Sequence, residues 1–542
     1  MATDDPLAEG RRLEASGQRD AAIETYRRAI LATPDDPAGY VHLGELLYAS
    51  GFEDEARGVY DIGLRRLPAS PLLNWARCMI TLPMVPVDQG RCDAALASFA
   101  EQLDRLPAIC FASQAALREA RRAVGLRAPF FLPYLGDVDQ ALLRRHGRLA
   151  ADVMAANDPV RGAAPRVPLR NGERIRVGIV SGLFLRHAVW RMPTMGWVQH
   201  LDRTRFTLFG YHTRDERDAA TVAAAGLFDR FQSGWAPVTT WCDRIGADAP
   251  HVLIYPELGI DQTSLQLAAL PLAPLQCTSW GHPVTSGLPT IHAYLSSDAM
   301  EPPGADAQYT ERLVRLPGLG ACLDPDSRAW GEALGGGDAW ARFGLPDDAV
   351  RILCCQSLSK FRAEHDDLLP RIARALPTAR FVLVYPNERA RDTLWRRLFL
   401  AFHQAGIPAE AHCLFVPSLG HGAFSALVRD AHVNLDTIGW SGCNTTVDAL
   451  AHGVPTVTLA GDTLRARHSM AFLRAVGVTD TIAADMDDMV AIVARLGKDP
   501  AARADIAARL RAGAPRLFGD QAPVRALEEF LSAEVARRCA DG

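Results

Sequence analysis

Asp436-Thr-Ile-Gly-Trp-Ser-Gly-Cys-Asn-Thr-Thr-Val-Asp-Ala-Leu-Ala-His-Gly-Val-Pro455 reads as a strand end, a glycine-bearing turn, a helix opening on Cys443, Asn444, Thr445 and Thr446, and the lead into a further strand, Pro455 to Leu459. A helix start presents backbone N–H groups without intrahelical partners and the positive end of the helix dipole, and small hydroxyl side chains let a phosphate come close. Asp448 follows about one turn later, where its carboxylate can accept from ribose hydroxyls. An anion site beside a sugar site suits a nucleoside-diphosphate ligand. The plainer alternative is an ordinary helix cap.

Working outward, the stretch belongs to a series of short apolar runs of the sort buried in parallel sheets: Val350 to Cys355, Phe381 to Tyr385, Cys413 to Val416, His432 to Leu435 and Val457 to Leu459. An earlier series starts at Ile175-Arg-Val-Gly-Ile-Val-Ser181 and continues through Phe206 to Tyr211, His251 to Tyr255, Leu275 to Ser279 and Ala293 to Ser296. Helical segments such as Ala219 to Phe228 and Ser264 to Leu270 separate those runs, and a Gly-, Asp- and Pro-rich break near Asp324 to Gly337 divides the two series. The pattern predicts two facing Rossmann-like domains, residues 171–330 and 338–542, with helices Met486 to Leu496, Ala501 to Ala512 and Val524 to Arg537 closing the second. Neither first strand is followed by GxGxxG, which argues against a dinucleotide dehydrogenase.

The N-terminal region has a different texture. Gly17, Ala22, Tyr26 and Pro34 recur 34 positions later as Gly51, Ala56, Tyr60 and Pro68, and more weakly as Gly90, Ala95, Phe99 and Pro107 after a five-residue insertion near Pro83 to Gln89. This is the period of tetratricopeptide (TPR) repeats: small residues let two helices approach, the aromatic fills the gap and proline ends the second helix. Residues 1–110 are therefore predicted to be TPR-like helical repeats that dock on the rest of the chain, either as a structural cap or as a binding surface for a partner protein. Residues 111–170 form a helical linker region, with helices at Phe111 to Val124 and Asp137 to Ala156.

Composition narrows the function classes. A chain of 542 residues with net charge −5 gives no electrostatic reason to expect nucleic acid. No apolar run is long enough to span a bilayer, and the N-terminus lacks the features of a signal peptide. The eleven cysteines are scattered without a CxxC pair, as expected for reduced thiols and a cytoplasmic location. HExxH, GxxxxGK[ST] and GxSxG are absent, and no metal site stands out. Asp324-Pro-Asp326 and Asp485-Met-Asp-Asp488 look like acidic metal-binding motifs, but they sit at the domain break and at the start of a peripheral helix, and read as caps or solvated charge.

In open parallel sheets ligands bind beyond the carboxyl ends of the strands. After Ser181, His187 falls near a helix start facing the cleft, as a general base, a donor to a phosphate oxygen, or a structural histidine. After Ser279 comes the loop Trp280-Gly281-His282-Pro283-Val-Thr-Ser-Gly287, with His282 as its titratable group, or simply a proline-stiffened turn. Gln356-Ser-Leu-Ser-Lys360 follows the first strand of the second series, and its lysine can neutralise a leaving diphosphate or face solvent. Phe424 can stack on a nucleobase whose edge is read by the backbone at Ser418 and Leu419, or it can belong to the core.

Taken in order, these stretches make the chain resemble the O-GlcNAc transferase and SPINDLY-like proteins of glycosyltransferase family 41, especially its short bacterial members. The matching segments are Arg174 to Gly182 with His187, Pro274 to Gly287, Phe343 to Ala349 leading to Lys360, Leu435-Asp-Thr437, the Cys443–Asp448 turn, and Gly453 to Leu459. The resemblance implies a GT-B fold behind the repeats. It also implies an inverting transferase, without a metal or other cofactor, that moves a sugar from a nucleotide donor to Ser or Thr of a protein. Within it His187 and Lys360 take catalytic positions. Gly281, His282 and Pro283 line the donor sugar, Gln356 lies on the donor side with Lys360, and Ser418, Leu419 and Phe424 meet the base. Cys443, Asn444, Thr445 and Thr446 hold phosphate, and Asp448 holds ribose. UDP-GlcNAc leads the implied donors, with GDP-fucose or UDP-glucose as alternatives. A non-protein acceptor, or a silent TPR scaffold that binds the nucleotide sugar, are the other readings. The family's His-Thr-Thr turn reads Cys443-Asn444-Thr445 here, and its base-packing histidine is Phe424.

Overall fold

The computed structural model describes residues 5–136, 140–324 and 338–540. Part of the expected helix from Asp137, most of the break Asp324 to Gly337, and Asp326 lie outside the described residues.

The repeats form as their spacing requires. Helices Pro6–Ala15, Arg19–Ala32, Pro37–Ala49, Glu53–Arg66, Pro71–Met79 and Gln89–Cys110 stack in sequence. Ala22, Tyr26, Ala56, Tyr60 and Phe99 have no exposed surface. Each tyrosine fills the space above a glycine of the preceding helix: a Cβ on Gly10 would fall 2.6 Å from Tyr26 Cδ1, and one on Gly44 2.8 Å from Tyr60 Cε1. The third unit departs from expectation, because Pro107 lies inside Gln89–Cys110 instead of ending it. Helices Gln114–Ala123 and Gln140–Asn157 complete the helical region. One apolar cluster runs from Ala22 through Trp75 and Leu143 to Trp241 and Leu265, so the repeats and the first α/β domain share a core.

That domain is a seven-stranded parallel sheet of β1 (Ile175–Ser181), β2 (Phe206–His212), β3 (Arg230–Ser233), β4 (Val252–Tyr255), β5 (Leu275–Ser279), β6 (Ala293–Ser297) and β7 (Arg312–Leu316), in the order β3-β2-β1-β4-β5-β6-β7. The second is a six-stranded parallel sheet of β8 (Val350–Cys354), β9 (Ala379–Tyr385), β10 (Cys413–Pro417), β11 (Val433–Leu435), β12 (Thr456–Leu459) and β13 (Ile482–Ala483), ordered β10-β9-β8-β11-β12-β13. Helices cover both sheets, giving two Rossmann-like domains behind a helical repeat region.

The expected C-terminal unit, 338–542, does not pack as one body. Its last helix, Ala522–Ala540, returns to the first domain, where Val524, Leu527, Leu531 and Val535 are buried beside Val177, Trp197 and Leu316. Where the chain returns, Leu323 and Phe518 pair in parallel, and the Gly519 N–H donates to the Leu323 carbonyl at 2.8 Å. The repeats also touch the second domain: the Arg389 guanidinium lies 4.7 Å over the Phe52 ring, and Arg397 donates to the Pro86 carbonyl at 2.6 Å. Among the described residues, no helix is long and apolar enough to cross a membrane.

Candidate active site

Each sheet reverses its strand order once, between β1 and β4 in the first and between β8 and β11 in the second. Connections leave such a point to opposite faces, so a crevice opens beyond the strand ends.

In the second domain, β8 leads through Gln356 to a single 3-10 turn ending at Lys360. Lys360 Nζ donates to Gln356 Oε1 at 2.8 Å and to the Ser441 carbonyl at 3.1 Å. Gln356 Nε2 donates to Thr445 Oγ1 at 2.8 Å. Burial holds the Lys360 ammonium below the usual lysine range. Directly after β11, Asp436 Oδ1 accepts from the N–H groups of Gly442 at 2.7 Å and Thr437 at 3.0 Å, while Oδ2 accepts from the Thr458 hydroxyl at 2.8 Å. Burial raises the Asp436 carboxyl, opposed by the Ser469 and Thr458 hydroxyls, the Gly442 N–H and the Lys360 charge. The turn has no room for a side chain at Gly442, where a Cβ would lie 2.5 Å from both Gln356 Nε2 and Thr446 Oγ1.

Helix Asn444–His452 starts there, with Cys443 at its N-cap making no side-chain cap bond. Burial pushes the Cys443 thiol up to about 12, so it is neutral at ordinary pH. The buried Thr446 hydroxyl is engaged with Ser469 Oγ at 2.8 Å.

The first domain meets this turn from the opposite side. Ser181 ends β1 and donates to Glu257 Oε1 at 2.7 Å, just past β4. Glu257 has no exposed surface, its Oε2 has no hydrogen-bond partner, and burial raises its carboxyl to about 8. His187 Nδ1 accepts from the Val189 N–H at 3.2 Å, and its carbonyl accepts from the Arg191 N–H at 3.1 Å. Burial lowers the His187 imidazole. A π-helical turn, Trp190–Thr194, then carries Arg191 across the cleft. Arg191 Nη1 donates to Asn444 Oδ1 at 2.6 Å and to Asp448 Oδ1 at 2.8 Å.

The Gly281 N–H donates to the Pro256 carbonyl at 3.1 Å, which leaves only 2.6 Å for a Cβ. His282 stacks on Phe130 at 4.7 Å and lies 6.3 Å from Trp440; burial takes its imidazole down to about 3. Pro283 lines a cavity of about 670 Å³ together with Gly439, Gly461 and Arg465. Trp280 meets His468 at 5.6 Å, and the Trp280 indole nitrogen and both His468 ring nitrogens are buried without hydrogen-bond partners.

The expected base-binding residues stand apart from this cluster, around the end of β10. Ser418 donates to the Tyr385 carbonyl through its N–H at 2.9 Å and its hydroxyl at 3.1 Å. Leu419 and Phe424 are half-buried against a cluster that includes Trp340, Val416 and Leu427. His421, on the helix carrying Phe424, is close enough to Asp448 and Arg191 for their charges to act on it.

Gln356, Lys360, Cys443, Asn444, Thr445, Thr446 and Asp448 are thus gathered at one turn, with His187 and the Gly281–Pro283 loop across the cleft. Sequence reasoning did not single out Arg191, Asp436, Glu257 or His468. Asp436 and Glu257 are each the first polar residue past a strand end, a position that could have pointed to them. Asp485 caps helix Met486–Lys498 by accepting from the Asp488 N–H at 2.8 Å, as expected for a cap. Among the described residues, no group of three or more His, Cys, Asp or Glu side chains gathers in a metal-binding arrangement.

Two facing Rossmann-like domains, with a cleft between their switch points and a helical repeat region in front, place the chain in the GT-B fold class. Residues 338–518 match the model of glycosyl transferase family 41. The fold as a whole resembles that of a Thermobaculum terrenum O-GlcNAc transferase mutant, with a TM-score of 0.73 at 24% identity and all of both chains covered. Two plant relatives are named as probable UDP-N-acetylglucosamine–peptide N-acetylglucosaminyltransferase SPINDLY. The Arabidopsis thaliana protein is 25% identical over 356 residues, covering 64% of this chain and 38% of its own length. The Solanum lycopersicum protein is 30% identical over 241 residues, covering 44% and 25%. The chain therefore spans well under half the length of these curated relatives.

Proposed function

We propose that the chain is a glycosyltransferase that moves a sugar from a nucleoside-diphosphate donor, UDP-GlcNAc first among the candidates, to a Ser or Thr hydroxyl of a protein, with inversion and without a metal. The observation that carries this reading is the Gln356–Lys360–Ser441–Thr445 cluster at the start of helix Asn444–His452. A leaving diphosphate there meets the helix N-terminus, threonine hydroxyls and an ammonium, which together stabilise the charge that develops as the anomeric C–O bond breaks. The acceptor hydroxyl attacks from the opposite face as the C–O bond to the diphosphate breaks, and its proton passes to the departing diphosphate or to solvent, so one displacement inverts the centre. His187 acts as a donor in this scheme. Because its Nδ1 accepts from Val189, the neutral ring carries its proton on Nε2, where it can be offered to a donor oxygen. Asp448 takes the ribose, the region of Ser418, Leu419 and Phe424 takes the base, and Gly281 to Pro283 take the sugar. The names of the plant relatives support a GlcNAc donor and a peptide acceptor, and the repeats are the surface proposed to receive the acceptor protein.

Thermal melts with UDP, GDP, UDP-GlcNAc, UDP-glucose and GDP-fucose, with and without EDTA, test the reading. A ligand at about 100 times its Kd adds roughly 2.7 kcal/mol. The expected result is stabilisation by one base series that EDTA leaves unchanged, followed by transfer seen as added mass on protein substrates. A flat panel would sink the nucleotide site. Stabilisation without transfer to protein, glycan or water would leave a binding scaffold.

A further inference from the structure

The first domain delivers a guanidinium to the helix start assigned above to a diphosphate. Arg191 is 2% exposed, on a turn fixed to His187 by the bond from its N–H to the His187 carbonyl. Its Nη1 reaches both Asn444, the first residue of helix Asn444–His452, and Asp448, one turn further on. Asn444 Nδ2 donates to Asp448 Oδ2 at 3.3 Å, so guanidinium, amide and carboxylate form a closed triad. The arginine and aspartate side chains are 2% and 5% exposed.

This triad constrains any ligand. While Arg191 holds Asp448, the carboxylate is already committed and is a poor acceptor for ribose. Separating the two would deprive the buried Asp448 carboxylate of its guanidinium, which is strongly unfavourable unless it finds new partners. A nucleoside diphosphate provides both partners at once, hydroxyls for the carboxylate and anionic oxygens for the guanidinium. The planar fork of arginine suits phosphate oxygens, and Arg191 approaches from the domain opposite Lys360.

We propose that Arg191 is a diphosphate ligand supplied by the first domain: in the ligand-free cleft Asp448 and Asn444 hold it, and on donor binding it passes to the diphosphate while Asp448 passes to the ribose. The proposal rests on the donor-site reading above. It makes the diphosphate, more than the nucleoside, the part of the donor that ties the two domains together.

The test is calorimetric binding to the full chain, with competition NMR for weak ligands, comparing UDP and GDP with uridine and guanosine. The proteins are wild type, Arg191→Met, Arg191→Lys, and Asp448→Asn with and without Arg191→Met. In the Asp448→Asn background, removing the arginine strands no buried carboxylate, so a loss there is not a folding defect. Arg191→Met should weaken the diphosphate that wild type binds by about tenfold or more in both backgrounds, leave the matching nucleoside within about twofold, and be partly rescued by lysine. If diphosphate and nucleoside weaken by the same factor, or if diphosphate affinity is unchanged or raised, the proposal is overturned and Arg191 is a structural tie. Wild type that binds neither UDP nor GDP would instead overturn the donor-site reading, and this inference with it.

Discussion

Lys360 holds its ammonium between a glutamine side chain and a backbone carbonyl, both replaceable by phosphate oxygens. Lys360→Ala should cut kcat by about 100-fold or more while far-UV circular dichroism stays unchanged, the magnitude expected when one preorganised charge is removed from a leaving group. Because burial already lowers its pKa, nucleoside-diphosphate affinity should fall with rising pH from below the ordinary lysine range. Affinity that stays flat up to that range would exclude the lysine as the anion's partner. Glu257 gives the opposite kind of signal, one of stability. Its folded pKa, about 8, stands above its ordinary value of 4.5, so the native state holds a proton that the unfolded chain releases first. That stabilisation is complete below pH ~4.5 and is lost as pH rises to about 8. Glu257→Gln should therefore melt progressively higher relative to wild type between pH 5 and pH 8, by up to a few kcal/mol; a constant offset would argue against a buried proton. At this scale the sequence shows residues whose place in the fold follows from chain position, such as Lys360 in the loop after β8 and Asn444 at a helix start. Arg191 acts on residues 253 and 257 positions away, and no local pattern encodes that separation.

At the scale of elements, the turn from β11 to helix Asn444–His452 is fixed by Asp436 beneath it and by the missing side chain at Gly442. Gly442→Ala forces a methyl against Gln356 and Thr446. It should reduce nucleoside-diphosphate affinity by about tenfold or more, with a loss of roughly 1–3 kcal/mol in stability, measured by calorimetry and thermal melts. Full affinity in that variant would show that the turn does not touch the ligand. The strands that were legible from the sequence are the continuously apolar ones. Those passed over are β3, β7 and β13, each at the edge of its sheet. Arg230-Phe-Gln-Ser233 and Arg312-Leu-Val-Arg-Leu316 carry the charges that protect open edges, and so lack the continuous apolar signature of a buried strand. Pro107 misleads in another way. A proline in the last turn leaves enough of the helix ladder intact for Gln89–Cys110 to run past it, and repeat spacing alone does not show this.

At the scale of the molecule, composition and alternation gave the order of repeat region, first sheet and second sheet, but not the return of helix Ala522–Ala540 to the first domain. That return depends on which face of a terminal helix finds an unfilled apolar surface, a tertiary question. Ending the chain after Gln521 removes Val524, Leu527, Leu531 and Val535 from the first-domain core. At roughly 1.5–3 kcal/mol for each buried side chain, the first domain should lose several kcal/mol. Differential scanning calorimetry should then resolve an early transition that nucleotide does not shift, ahead of a later, nucleotide-sensitive one. A single, unshifted transition would mean the helix contributes little. The same return has a mechanical consequence. The backbone bridges the two domains twice, and the bridges are fastened to each other at Leu323 and Phe518. Two crossings joined at one point keep the domains together there, so any relative movement between them is smallest beside Leu323 and Phe518.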